Sequence, residues 1–343
     1  MRSPKWSIAP LSLLMVVVIL LLSPWDGGQR AAARTDAPGF GSEFWKHWGD
    51  GKAELAGYDL VYPRYGAERR GTAVTIFVTE TFSGSDRIKS ESRRPDSDLY
   101  PVMKLNLMQD FPTGIYDYNL MTSTFVALEG VNGRPAGSVT KVAFSAQEWC
   151  GQVYAQLLFD RDEVRYSAHS YFDGEGDRDE RLEYAPGGLS EDALLLWARG
   201  LAGPLLEAGQ SVAVPLLRGL EGSRLAHVEL DWRSVKLTRG AEPRRVRVPA
   251  GEFEVDVLSA EVEDGRVARL YPPGATPATE STRTWTFWVE RSAPRRLIRW
   301  QRDDGLTAEM IASQRLAYWT LNGAGHEEAL QKLGLTARPP RTP

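Results

Sequence analysis

The chain is poor in the residues on which many exported and catalytic proteins depend. Of 343 residues, one is cysteine (Cys150) and four are histidine. A single cysteine excludes an intramolecular disulfide framework, so stability has to come from packing. It also excludes a lipid anchor at the end of an N-terminal leader, since that chemistry needs a cysteine there. Four histidines and one cysteine make a dense transition-metal site hard to assemble, and neither metal nor cofactor is expected. The sequence has no Gly-x-Ser-x-Gly elbow, no His-Glu-x-x-His zinc helix, no phosphate loop ending in Gly-Lys-Ser/Thr and no paired-cysteine knuckle. Neither charge sign dominates. With 41 basic and 45 acidic residues the formal net charge is -4, which offers no overall attraction to nucleic acid or anionic lipid. No repeat of solenoid or propeller period is present.

What the chain does have is material for a core. A hydrophobic fraction of 42%, a charged fraction of 25% and 11 Trp are enough for a packed interior. The length allows one large β unit or two modest ones. Residues 1–33 read as an export signal: Arg2 and Lys5 lead, Leu11 to Leu22 is almost unbroken apolar sequence, and Ala31 to Ala33 supplies small residues for cleavage. The alternative is a retained anchor, because Trp6 to Leu22 approaches the shortest membrane span. Either way the protein is expected outside the cytoplasm, periplasmic or associated with the cell envelope, touching membrane only through residues 6–22 if these stay uncleaved.

A linker is expected over 34–41, then a helix opening at Ser42 with Glu43 in its first turn. From Gly57 onward, short runs rich in Val, Thr, Tyr and Phe are broken by Gly, Pro, Asp and Asn, the signature of antiparallel β structure. Strands are predicted over Tyr58 to Tyr65, Thr72 to Phe82, Val102 to Phe111, Tyr118 to Leu128, Val139 to Trp149, Gln152 to Phe159 and Val164 to Phe172. A helix is predicted over Leu189 to Leu201, capped by Ser190 with Glu191 and Asp192 in its first turn. A second β series follows: Ser211 to Leu217, Ala226 to Leu237, Arg245 to Val248, Glu252 to Val262, Thr282 to Glu290, Arg296 to Arg302 and Thr307 to Gln314. Pro249-Ala250-Gly251 marks a bulge or tight turn, Asp303-Asp304-Gly305 a hairpin, and Tyr271 to Thr279 a loop. The β-rich domain would span 42–320, either as one unit or as two β halves meeting near 187–210. A short helix and a disordered tail would complete 321–343.

Two stretches resemble known families. Arg247 to Val255, with Thr284 to Glu290 and Pro294 to Ile298, resembles the closing section of DUF3108-type exported proteins. That resemblance covers about the last fifth of the chain. It implies a mainly β fold, a curved antiparallel sheet or half-barrel like that of periplasmic lipoprotein carriers, with a few short helices. Ser145 to Gln152, with Ser170 to Asp177 downstream and Phe44-Trp45 upstream, resembles an uncharacterised family of exported bacterial proteins. Neither resemblance carries functional residues with it.

The residues that could carry chemistry are few. Glu148, Cys150 and His169 raise the idea of a thiol nucleophile, which needs a base or positive neighbour to lower its pKa. If the strand runs on unbroken, Glu148, Cys150, Gln152, Tyr154 and Gln156 share one face, and the carboxylate opposes thiolate formation. The same stripe, with Trp149 behind it, could line a ligand cavity or be a wet outer face. Asp173, Glu175, Asp177 and Asp179 resemble a calcium loop only superficially, since Arg178 and Tyr184 stand where glycine and glutamate are needed. Trp285, Trp288 and Trp300 are core or an aromatic contact surface. The expectation is a non-enzymatic binding protein for a lipid, glycan or other amphipathic ligand, or for an envelope protein, with no nucleic-acid partner. The alternative is a secreted hydrolase using carboxylates.

Overall fold

The computed structural model describes residues 37–91, 93–266 and 283–336. The leader, the Tyr271 to Thr279 loop and the tail from Ala337 lie outside them. The described residues form one compact unit. It opens with helix α1 (Ser42–Trp48). Eight strands then follow as an antiparallel meander: β1 (Ala53–Arg64), β2 (Ala67–Ser83), β3 (Leu99–Pro112), β4 (Asp117–Ala127), β5 (Val139–Glu148), β6 (Gly151–Phe159), β7 (Glu163–Ser170) and β8 (Arg178–Glu183). After β9 (Leu189–Ser190), α2 (Leu194–Ala198), β10 (Ser211–Leu217) and α3 (Leu220–Ala226), the chain forms β11 (Trp232–Arg239), β12 (Arg244–Val248), β13 (Gly251–Arg266), β14 (Thr284–Glu290), β15 (Leu297–Arg302) and β16 (Thr307–Leu316). The short helix α4 (Glu328–Gln331) follows.

All sixteen strands found among the described residues belong to one sheet, ordered β8 through β1, then β16, β15, β14, β13, β11, β10 and β9, with β12 pairing part of β13. Pairing is antiparallel except between β9 and β10. β1 joins the two halves by pairing β2 on one side and β16 on the other. The fold is therefore mainly β, a large open antiparallel sheet with few short helices.

The sheet has to curl. The Thr124 hydroxyl of β4 donates to the carbonyl of Asp192, just before α2, while Trp197 of α2 packs edge-on against Phe287 of β14. β4 and β14 stand six ladder steps apart, about 29 Å in a flat sheet at ~4.8 Å per step. One short helix touches both only because the sheet wraps around it. Leu194, Leu195, Leu196, Trp197 and Ala198 are all buried, as expected of a helix that is apolar all round and sits in the middle of a core. The curl also brings β8 near β11, where the Trp232 indole donates to the Glu183 carbonyl and Arg178 pairs with Glu229. No ladder joins β8 to β9, so a seam separates the sheet's two ends.

Two ends of the wrapped sheet differ. At the hairpin end lie the β1–β2, β3–β4, β5–β6 and β7–β8 turns; at the loop end lie α1 and the longer β2–β3 and β4–β5 connections. The loop end is bolted by buried arginines. Arg199 forms a two-pronged ion pair with Glu54 at 2.7 and 3.1 Å, donates to the carbonyls of Pro294 and Arg295, and lies over the Phe77 ring. Arg87 donates to the carbonyls of Thr140 and Phe159 and pairs with Asp160. On the outer face, Leu333 packs with Leu55, Ile76 and Val78. Gly57 permits this, because a Cβ there would lie 2.2 Å from the Leu333 carbonyl oxygen.

The predicted strands are present, half of them longer than expected, and three expectations need correction. The helix expected over Leu189 to Leu201 is confined to Leu194–Ala198, because Leu189 and Ser190 pair with Leu216 and Leu217 and a 3-10 turn follows. The expected strand from Ala226 starts only at Trp232, since Leu220–Ala226 is helix α3. Arg178–Glu183, where no strand is predicted, is strand β8, and it includes Asp179 of the calcium-loop-like stretch.

Candidate functional site

A group of buried ionisable side chains lies inside the curl, between β14, β15 and the start of α3. Glu191 accepts from the Gly219 N–H at 2.9 Å, from the Trp285 indole at 3.0 Å and from Arg283 at 3.3 Å. Asp192 accepts from the Leu220 N–H and from the Ser190 hydroxyl. Both carboxylates thus satisfy the first N–H groups of α3, which has no side-chain cap of its own. Glu221 accepts from the Tyr62 hydroxyl at 2.7 Å, and Arg302 lies 3.8 Å from it while pairing with Asp304.

Their environments push these carboxyls apart. Burial lifts Asp192 to about 7, against its Leu220 hydrogen bond and with help from the negative Glu191. Burial raises Glu221 as well, only partly opposed by Arg302. Burial would also raise Glu191, but Arg283, the Gly219 N–H and the Trp285 indole outweigh it and hold this acid below its ordinary range. Shifted pairs of this kind are what acid–base catalysis uses. The adjoining cavity, however, measures about 40 Å3. That admits a water or two but no sugar or peptide unit.

The residues singled out in the sequence are distributed over separate places. Trp149 and Cys150 form the two-residue turn between β5 and β6, with Glu148 opposite Gly151 and Gln147 opposite Gln152. A continuous strand would have put Glu148, Cys150, Gln152 and Tyr154 on one face, and the turn undoes that. Glu148 borders a small interior mouth with Arg64, Arg224 and His227. Gln152 and Tyr154 face outward into an open depression of about 570 Å3 shared with His169 and Asp177. The Cys150 thiol is exposed, and its hydrogen bond to Glu148 pushes its pKa up, away from thiolate. His169 stacks beside Tyr154 and bonds to Asp177 at 2.8 Å. The three tryptophans are likewise dispersed. Trp300 is core against Tyr58, Trp285 borders the interior cluster, and Trp288 lies under Arg299.

A larger concavity follows the seam. This groove of about 620 Å3 is walled by Val139, Tyr184, Leu189, Pro204 and Val214, with Arg161, Asp162 and Glu183 also on its lining. Arg134 shapes its floor, donating to the Val139 carbonyl and the Tyr184 hydroxyl while lying 4.5 Å from the Tyr184 ring centre. None of these residues reads in the sequence as part of a groove, whose trace there is the glycine pair Gly187-Gly188 beside Pro186. Among the described residues no cluster of three or more metal-binding side chains is present, and no helix is long and apolar enough to cross a membrane.

Comparison of the chain with protein-family models, with curated proteins and with solved structures returns no match, so function is read from geometry alone.

Proposed function

We propose that this is an exported, non-catalytic binding protein of the cell envelope, which holds an amphipathic small molecule in the seam groove. The observation that carries this reading is the groove itself. It has the volume usual for small-molecule sites, lies where the sheet has no ladder to close it, and combines apolar walls with a guanidinium. An acyl or other apolar moiety would lie along Leu189, Pro204 and Val214, and an anionic or polar head would meet Arg161. The curled interior does not serve as the site, because α2 and its neighbours fill it.

Native mass spectrometry of protein recovered from its own envelope tests the reading. A retained mass is expected on the wild type and at least a tenfold lower occupancy in Val214→Trp, whose larger ring fills the groove. Wild-type protein recovered bare, or a retained mass unaffected by Val214→Trp, would count against it.

The carboxylate-hydrolase alternative is favoured by one feature, the divergent acidities of Asp192 and Glu191. Their engagement with the start of α3, and the small size of the cavity, weigh for a structural role.

A further inference from the structure

The four most exposed large hydrophobic side chains of the described residues are Ile115 (82%), Trp149 (73%), Tyr171 (70%) and Tyr65 (60%); the next reaches only 46%. Each belongs to a different connection. Tyr65 is in the β1–β2 turn, Ile115 in the β3–β4 turn, Trp149 in the β5–β6 turn and Tyr171 in the β7–β8 loop. In a meander, alternate turns fall at the same end of the sheet, so all four stand in a row along the hairpin end. Two ladder steps separate neighbouring tips, and the row runs about 29 Å along the edge. It is continuous: Tyr116, beside Ile115, packs against Trp149, and Tyr171 lies against Gly151.

Local preference does not explain these residues. Tyr65 and Gly66 turn β1 into β2 with φ of 55° and 71°, a turn that favours Asn-Gly. A tyrosine in left-handed backbone conformation is disfavoured, and although its hydroxyl meets that of Tyr118 and Arg64 lies over its ring, the side chain stays mostly in solvent. Single exposed apolar residues are ordinary, whereas a contiguous set marks an interaction surface.

We infer that this rim rests on a lipid bilayer. Apart from the open depression beside Tyr171, the row consists of separate projecting tips, a shape that can meet a plane. Tyrosine and tryptophan, each with an apolar body and a polar handle, are the side chains enriched at membrane–water interfaces. Around the tips the basic Arg64, Arg69 and Arg70 stand among the acidic Asp117, Glu148, Asp173 and Asp177, so a neutral headgroup fits better than an anionic one. This contact is distinct from any made by residues 6–22. It is also remote from the seam groove, whose Ala37, Val139 and Arg161 belong to the loop end.

Flotation with phosphatidylcholine vesicles, using the chain from Arg34 onward, tests the inference. Cys150, the lone and exposed thiol, carries an environment-sensitive dye beside Trp149. The wild type floats, the dye emission shifts to shorter wavelength, and raising salt from 0.1 to 0.5 M changes binding less than about twofold. Substituting Ile115→Ser, Trp149→Ser and Tyr171→Ser together weakens binding at least tenfold with unchanged thermal unfolding. The inference is overturned if the wild type stays unbound at millimolar lipid, if the triple variant still floats, or if binding requires anionic lipid. Dye-site cross-linking that captures a protein while vesicles stay unbound would assign the rim to a protein partner instead. A negative result here leaves the groove reading intact, because that reading is judged by retained mass.

Discussion

The loop end and the hairpin end of the same sheet both bury paired arginines and differ in what they leave exposed. At the loop end, guanidiniums are buried and fully employed: Arg199 on Glu54, Arg87 on Asp160 and two carbonyls, Arg134 on Val139 and Tyr184. At the hairpin end, Arg218 on Asp231, Arg224 on Glu175 and Arg302 on Asp304 are buried and paired too, and in addition large apolar side chains project into water. The buried pairs resist opening, because separating one strands a charge. The projecting side chains contribute little to folding and leave apolar surface to spare for something else. Both ends are held by buried ion pairs, and the hairpin end adds an exposed apolar rim.

That contrast can be broken most forcefully at Arg199. Replacing it by Met leaves Glu54 buried without its partner, and a loss of about 3–5 kcal/mol is expected in denaturant unfolding. Adding Glu54→Gln to that variant should recover part of the loss. A loss below about 1 kcal/mol would mean that the loop end is not bolted in this way.

The next largest effect concerns the interior cluster lying between the two ends. Asp192 sits at about 7 in the folded protein, against about 3.9 for a solvated aspartate. Between these values the folded protein holds a proton that the unfolded chain releases, so stability falls as pH rises. The contribution is complete below about pH 4, is lost by about pH 7, and is on the order of a few kcal/mol. Glu221, also raised, acts in the same direction. Urea unfolding at pH 4.5 and 7.5 should show a shallower slope for Asp192→Asn than for the wild type, and equal slopes would contradict the assignment.

The smallest effects belong to the exposed rim of the hairpin end. Trp149→Ser should change stability by less than about 0.5 kcal/mol, since its ring is mostly exposed and its packing against Tyr116 lies at the surface. Cys150 should alkylate more slowly at pH 7 than a free thiol, because Glu148 raises its pKa, and Glu148→Gln should speed it a few-fold. Rapid alkylation of the wild type would reopen the activated-thiol idea.

Much of the strand plan is legible in the amino-acid sequence, and the reason is local. Side-chain alternation and turn residues act between near neighbours, so Ser211–Leu217 and the Asp303-Asp304-Gly305 hairpin can be read directly. Helix α3 is not legible, because its N–H groups are satisfied by Glu191 and Asp192, 28 residues away. Those same acids read as the first turn of their own helix. Trp149 and Cys150 do stand out, but a two-residue turn and an uninterrupted strand differ there only in backbone conformation. The seam groove leaves almost no mark on the sequence, since its lining comes from six separate stretches of chain.

The amino-acid order determines by itself that the chain makes short antiparallel strands joined by tight turns, since those preferences are settled within a few residues. Only the tertiary structure decides that the sheet wraps around α2, that Arg199 finds Glu54 across 145 positions, and that four aromatic or aliphatic turn residues align along one rim. Contacts of that kind depend on how far the whole sheet curls, a collective property of many strand pairs that no single segment encodes.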